Sequence, residues 1–568
     1  MSPEIARHQR RDLYLVLLLL TVSSFLLFYR LSDIEMKPWD ESVYALRSKE
    51  MYLSRSFLAP IQDGKVAWSS GKPPLGFWLI IASFHLFAIN PFSLRLPFAI
   101  AGLGCIFLVF LIGKQLAGRR MGILAALSLL LMPGFLLYCR RAILEPLLTF
   151  LFLSALFLYH RSWVTSSPRS FPLFALGSGM AIGLAMLAKQ VVGLIVLPAI
   201  LIHDFLEGKP GKVRPLLSRR SSLALLAALA TSGWWFLLMY LLHGPLFLNH
   251  YFGINVFRRL THTITARSTK LTGFPALLFQ HAGPLAFWVG LGGILLLLFL
   301  AVRIYRSRRL IPLSAASASL LIPLLLFSTF YYLVFGQLSR TLLFWYPFPL
   351  LPLFALGQGY VLTEAMAIAE NSRTSGHLSL FSGVLPLLPF WLSLSQRWYL
   401  LCLASFLLFS IWVICLRRCT DIGERFLPLL GLLSLTLYFS LSSFLALGHP
   451  TYHAPDPYPQ VRRLVMDLGT KEVVFDKDLK GKIRHKIYPL RFYLEVPVTS
   501  GRIAPYLGGK EESEKRLLVT SAERWIKLRK KGIAGVRAFN LFQTGLVALR
   551  VEKGGHSGPA QADSALDL

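Results

Sequence analysis

Asp40 and Glu41, within Trp39-Asp40-Glu41-Ser42-Val43-Tyr44, are neighbouring carboxylates that can take a proton from a hydroxyl or orient a nucleophile. The loop that holds them, residues 31–92, runs on to a cation at Lys72 in Lys72-Pro73-Pro74 and follows the first long apolar segment. A turn between two membrane helices needs only a few residues. A long, charged, proline-punctuated loop therefore implies an active site at a membrane face, with Asp40 or Glu41 as its reactive group. The plainer alternative is a helix start, because an acid ahead of Tyr44-Ala45-Leu46 would cap a short helix.

A second acid, Glu145, lies in Cys139-Arg140-Arg141-Ala142-Ile143-Leu144-Glu145-Pro146. Arg141 precedes it by four residues, so an (i, i+4) pair is the structural alternative to a functional role. Ionisable groups at mid-depth in a membrane cost about 2.5–3.5 kcal/mol and are usually functional, though the cost shrinks near the interface. Lys72, Lys189 and Arg340 add three cations. Together they suit a phosphate group, lysine acting as a point charge and arginine as a fork. Singly, each would snorkel to water. Lys189 stands in Leu187-Ala188-Lys189-Gln190-Val191-Val192, where a tight turn joins two apolar stretches. His250, His262 and His281 are too widely spaced to define a metal site.

These residues need a scaffold, and the composition says which. Of 568 residues 55% are hydrophobic and only 15% charged, against about 25% charged in soluble domains. Apolar runs such as Leu13–Tyr29, Phe92–Leu111 and Leu223–Leu242 are each long enough to cross a hydrocarbon core. They are continuous rather than alternating, which excludes a β-barrel. The net charge of +31 falls largely in clusters between apolar runs: Arg7/Arg10/Arg11, Arg119/Arg120, Lys209 to Arg220, Arg303 to Arg309 and Arg417/Arg418. That is the positive-inside pattern, with anionic lipid headgroups as partners and no nucleic acid. Cys105, Cys139, Cys402, Cys415 and Cys419 lie in or beside apolar segments and suggest neither a disulfide framework nor zinc. The basic leader lacks a small-residue cleavage site, so the first apolar run reads as a retained helix.

With residues 1–12 placed in the cytoplasm, about 13 spans fit the pattern. They run over 13–30, 93–113, 121–139, 142–160, 172–188, 190–206, 222–243, 282–302, 310–334, 345–366, 378–394, 398–416 and 426–447. The strong basic clusters then fall on one side. Leu75–Ile89, short, aromatic and flanked by Pro74 and Pro91, reads as a helix lying at the interface. The transmembrane domain thus covers 13–447, and composition changes abruptly at Gly448-His449-Pro450. Residues 448–553 read as a soluble α/β domain on the outer side, with strands at Glu472-Val473-Val474-Phe475 and Arg516-Leu517-Leu518-Val519-Thr520 and a helix over Ala522–Lys531. Residues 554–568 read as a disordered tail.

Asp40-Glu41-x-x-Tyr44-Ala45, then Lys72-Pro73-Pro74-Leu75 with Phe77-Trp78, then Arg95-Leu96-Pro97, resembles the opening of the ArnT-like and protein O-mannosyltransferase-like membrane glycosyltransferases. Arg141 through Glu145-Pro146, Leu187-Ala188-Lys189 and Ser339-Arg340 through Tyr346-Pro347 follow in the expected order. The resemblance implies a GT-C-like fold and a polyprenyl-phosphate sugar donor. It implies that Lys72, Lys189, Arg340 and the Tyr346 hydroxyl bind the donor phosphate and stabilise the departing polyprenyl phosphate. Asp40 would orient or deprotonate the acceptor, Glu41 and Glu145 would be catalytic carboxylates beside it, and Tyr44, Arg141 and Arg258 would line the substrate. Inversion at the sugar carbon is expected. Three departures stand out: Glu145 where an aspartate is common, Val43 where the aminoarabinose-transferring branch often has arginine, and Gln190-Val191 in place of Gly-Pro.

The expectation is a hexosyl- or pentosyl-transferring enzyme of the inner (plasma) membrane, its active site and C-terminal domain on the periplasmic or extracellular side. The acceptor is a lipid, glycan or protein. No cofactor is called for with certainty, and a divalent metal is left open. The reading requires Asp40, Glu145, Lys72 and Lys189 to converge on one outer pocket. A lipid flippase or transporter that uses intramembrane charge is the alternative, but no internal repeat is visible. A non-catalytic member of the same group is the other.

Overall fold

A computed structural model describes residues 3–371, apart from 35, 38–39, 69–71, 166, 208–216, 258–272, 284–286, 288–289, 299–314 and 340–341. Beyond these it describes 462, 465–470, 472–476, 489, 491–493, 498–501, 503, 516–530, 536–541 and 546–551. Arg258, Arg340 and His262, the last three predicted spans and the C-terminal tail lie outside the described residues. The chain divides into two compact units, one formed by Met1–Tyr29, Ala67–Gly76 and Leu96–His449, the other by Arg30–Val66, Phe77–Arg95 and Pro450–Leu568.

The first unit is helical. Helix α1 (Pro3–Phe28) leads, and the second unit contributes α2 (Asp40–Ser54), the strands β1 (Ile61–Gln62) and β2 (Lys65–Val66), and α3 (Leu75–Phe87). The chain continues through α4 (Pro91–Leu131), α5 (Pro133–Cys139), α6 (Glu145–Val164), α7 (Ser170–Lys189), a 3-10 segment (Gln190–Val196) and α8 (Leu197–Glu207). Then come α9 (Arg219–His243), α10 (Pro245–Leu248), a π-helical segment (Asn249–Phe257), α11 (Gly273–Ala282), α12 (Ala315–Tyr332) and α13 (Leu351–Asn371). Among the described residues five stretches are long and apolar enough to cross a membrane: Pro91–Leu131, Glu145–Val164, Ser170–Leu206, Arg219–His243 and Leu320–Leu338. The apolar part of α1, Tyr14–Phe28, is shorter. The spans expected over 93–113 and 121–139 meet in α4, which breaks at Ala117 and Gly118, where the backbone leaves the helical region, and the last residues of the second span form α5.

Polar groups bind these helices where apolar packing alone would not fix their ends. Arg140 donates to the carbonyls of Leu26 (2.8 Å) and Tyr29 (2.7 Å), so a guanidinium satisfies the last turn of α1. Small residues let α7 and α9 approach closely, with Gly179 against Ala224 and Gly183 against Ala228 and Thr231. At the far end of α6, Asp204 accepts from the Tyr159 hydroxyl and from Ser218 N, and the Arg220 guanidinium lies 4.4 Å from the Trp163 ring centroid.

In the second unit, Asp40 and Glu41 open α2 in its first turn, where carboxylates complement the helix dipole. The hairpin β1–β2 turns at Asp63 (φ 56°) and Gly64 (φ 71°), the pair of positive φ values that an Asp-Gly turn provides. The C-terminal part carries a five-stranded sheet: β3 (Glu472–Asp476), β4 (Val498–Gly501), β5 (Arg516–Ser521), β6 (Val536–Leu541) and β7 (Leu546–Val551). Its order is β4-β3-β5-β7-β6, with β4, β3 and β5 parallel and β7 and β6 antiparallel. Val474, Ile503, Leu518, Val547 and Leu549 form its apolar core, with Trp525 and Leu528 of α14 (Ala522–Arg529) packed on it.

Candidate active site

The N-terminus of α6 and the C-terminus of α7 lie side by side because the two helices form an antiparallel hairpin. Glu145 starts the first and Lys189 ends the second. Each charge therefore sits at the dipole end that favours it. Lys189 Nζ is 2.7 Å from Glu145 Oε1, and both side chains are less than a tenth exposed. Two charges taken out of water at such a place cost several kcal/mol unless they pair. The Lys189 ammonium also lies 5.2 Å from the centroid of the Tyr346 ring, a cation–π contact. Tyr346 is held in turn: its carbonyl accepts from the Tyr331 hydroxyl at 3.0 Å, and its ring packs on Phe335.

The bend after Lys189 is unusual. Gln190 has φ 58° and ψ −138°, a conformation that glycine adopts readily and other residues rarely. The chain then folds back so tightly that a Cβ on Gly193 would lie 2.3 Å from Met186 N. Gln190 replaces the glycine usual in the enzymes the sequence resembles, so the substitution falls where the backbone most favours that residue. Gln190→Gly should raise stability by about 1 kcal/mol, the released strain outweighing the added freedom of the unfolded chain. Thermal melting of the purified protein checks this.

Lys72 is half-buried in the same unit. Its carbonyl accepts from the Tyr251 hydroxyl at 2.7 Å, and nearby Trp68 stacks on His250 and meets the edges of His243 and Tyr251. Arg141 is buried in the segment between α5 and α6. That segment is not helical, so the (i, i+4) arrangement with Glu145 does not arise there. His281 is buried, its Nδ1 2.5 Å from the Leu277 carbonyl and its ring stacked on Tyr138. Among the described residues no group of His, Cys, Asp and Glu is placed to hold a metal ion.

The other sequence-derived acids belong to the second unit. Glu41 is buried, 2.7 Å from Arg95 Nε through Oε1, and accepts from Lys37 N through Oε2 at 3.0 Å. Arg95 also donates to the Leu31 carbonyl at 2.8 Å. Glu41 thus pins the start of α2. Asp40, beside it, is only half-buried, and Tyr44 packs against Phe77. Sequence reasoning gave Arg95, Arg140, Tyr251 and Tyr331 no role. For Arg95 a signal existed: a guanidinium near the start of a long apolar helix demands a partner, and the first loop offers few acids.

The fold is similar to that of membrane proteins of the GT-C type. Residues 71–256 match the family model described as dolichyl-phosphate-mannose-protein mannosyltransferase. The structure superposes on ArnT from Cupriavidus metallidurans, solved bound to undecaprenyl phosphate, with a TM-score of 0.66 at 18% identity over 94% of this chain and 97% of ArnT. The apo form of that ArnT gives 0.62 over the same shares. A protein of Aquifex aeolicus (strain VF5) without an assigned function is 30% identical over 243 residues, 43% of this chain. The putative mannosyltransferase YkcB of Bacillus subtilis (strain 168) is 25% identical over 226 residues, 39% of this chain. The matches span 47% and 31% of those two relatives. The chain is accordingly similar to the ArnT-like and protein O-mannosyltransferase-like glycosyltransferases, as its motifs imply.

Proposed function

We propose that this protein transfers a monosaccharide from a polyprenyl-phosphate donor to a lipid, glycan or protein acceptor on the outer face of the inner (plasma) membrane. The observation that carries the reading is the buried Glu145–Lys189 pair at the break after α7, with the ammonium over the Tyr346 ring. Apolar packing would not select it, since a hydrophobic pair is often as stable in such a place. A reaction at a phosphate gives it a purpose. Breaking the bond between the anomeric carbon and the phosphate oxygen turns a singly charged diester into a dianionic polyprenyl phosphate. Negative charge therefore grows at the leaving group, and cations already in place lower the barrier.

In this reading Lys189 and Lys72, with Arg340 and the Tyr346 hydroxyl, hold the donor phosphate. Glu145 holds the Lys189 ammonium in place until the donor arrives. Asp40 takes the proton of the acceptor hydroxyl as its oxygen bonds to the anomeric carbon, inverting that centre. Glu41, committed to Arg95, serves by fixing α2, and Tyr44, Arg141 and Arg258 line the substrate. About 13 spans then cross the bilayer, with α3 along the interface and an α/β domain following on the outer side.

The test is direct. The purified protein in nanodiscs is given a panel of radiolabelled polyprenyl-phosphate sugars and a membrane acceptor extract. Label transfer that Lys72→Ala abolishes supports the reading; lipid movement across a sealed bilayer with no transfer overturns it in favour of a flippase. A finer check concerns the Lys72 loop. Tyr251→Phe removes one hydrogen bond, worth about 1 kcal/mol, so the donor KM should rise about fivefold with kcat little changed.

A further inference from the structure

The helix that begins with Asp40 is gripped at its other end by the C-terminal part of the chain, within the same unit. Lys49 Nζ donates to the carbonyls of Arg491 (3.3 Å) and Phe492 (2.8 Å). Arg491 Nη2 lies 3.2 Å from Glu50 Oε1 and 2.6 Å from Asp63 Oδ1 in the hairpin turn. Phe492 is buried, and its ring stands 6.3 Å from Phe84 of α3, which in turn meets Tyr52 of α2 edge-on at 6.2 Å. Three consecutive features of one short segment thus reach α2, the hairpin and α3 together. The contact is partly desolvated: burial pushes the Glu50 carboxyl above its ordinary range, with Arg491 opposing and Asp63 adding to the shift.

We propose that Arg491 and Phe492 are positioning residues, which hold α2 so that Asp40 at its N-terminus meets the acceptor hydroxyl in one direction. This rests on the role given to Asp40 above. The Glu41–Arg95 pair pins α2 one residue from Asp40. Releasing the far end therefore lets the helix pivot about that pin, turning the Asp40 carboxylate more than displacing it. Poor aim of a catalytic group costs rate and spares donor binding, so the effect belongs in kcat. A segment that merely kept the outer sheet attached would show its loss in melting temperature.

The experiment uses the full chain in nanodiscs. Arg491→Ala and Lys49→Met should each lower kcat about tenfold with the donor KM within about twofold of wild type, and Arg491→Lys should recover most of the loss. Hydrogen exchange over residues 40–54 should rise in both damaged variants. If Arg491→Ala fails to fold, Lys49→Met, which leaves every side chain of the C-terminal part in place, decides by the same readout. Wild-type kcat in a folded Lys49→Met protein overturns the proposal, as does an Arg491→Lys no better than Arg491→Ala. Asp40→Asn is run in parallel. If it still transfers sugar, the reading of Asp40 fails and this inference with it. If it is dead while both clamp variants turn over normally, only the inference fails.

Discussion

Asp40→Asn should cut sugar transfer about 10³-fold, within the 10²–10⁴ range of a positioned proton acceptor, while the protein stays folded and still binds its donor. The two consequences of this change differ greatly in size. As a first-turn acid of α2, Asp40 contributes about 0.3–1 kcal/mol through the helix dipole, which thermal melting will register as a shift of a few degrees at most. A loss of 10³ in rate corresponds to about 4 kcal/mol of transition-state stabilisation. Single-turnover transfer with a labelled donor, alongside donor binding, separates the two. Normal turnover with a small drop in stability would reduce Asp40 to a helix-start residue. Glu41→Gln supplies the contrast. It leaves the buried Arg95 guanidinium without its carboxylate, so the damage should appear first as loss of folded protein.

The same two residues show what a single sequence can and cannot reveal. Asp40 and Glu41 were equivalent as a dipeptide, and both invited a catalytic or a capping role. Only the register of α2 separates them, by turning Glu41 towards Arg95, 54 positions along the chain. No periodicity encodes that pairing, nor the grip of Arg140 on the carbonyls of Leu26 and Tyr29. Apolar helices were legible, since continuous hydrophobic runs have one explanation at these lengths. The break within α4 was legible as well: basic residues at 119 and 120 forced two spans apart, and the helix leaves its path at Ala117 and Gly118. Glu145 and Lys189 were singled out by type and setting, Tyr346 only through the family resemblance, and the three do come together. Convergence of Glu145 with Lys189 was expected, but a direct ion pair between them was not. The sequence offered Arg141 as the neighbour of Glu145, because (i, i+4) spacing is visible in one dimension and an antiparallel hairpin is not. The first loop also holds more structure than a loop implies, with α2, a hairpin and α3. Of these, α3 answers the helix expected over Leu75–Ile89 and α2 the short helix that a capping acid implies, whereas the two-residue strands of the hairpin carry no pattern to read.

Removing the Lys189 charge alone should cost about 3–5 kcal/mol, the usual penalty for a buried partner left uncompensated. Lys189→Met leaves the Glu145 carboxylate with no ammonium at 2.7 Å and almost no access to water. Glu145→Gln should cost less, because a freed lysine can extend towards the interface and keeps the Tyr346 ring beneath it. The double variant removes both charges and leaves a neutral pair of similar volume. Its stability should return to within about 1 kcal/mol of wild type, or exceed it. Activity is where the two views of this pair divide. If the pair only joins α6 to α7, the double variant regains sugar transfer together with its stability. If Lys189 neutralises the phosphate as it leaves, the repaired fold stays inactive, since methionine supplies no charge to the developing dianion. Melting curves and transfer rates for the four proteins of the cycle decide between them. A stable, donor-starved double variant would also explain why selection keeps a costly ion pair where a hydrophobic one would fold as well.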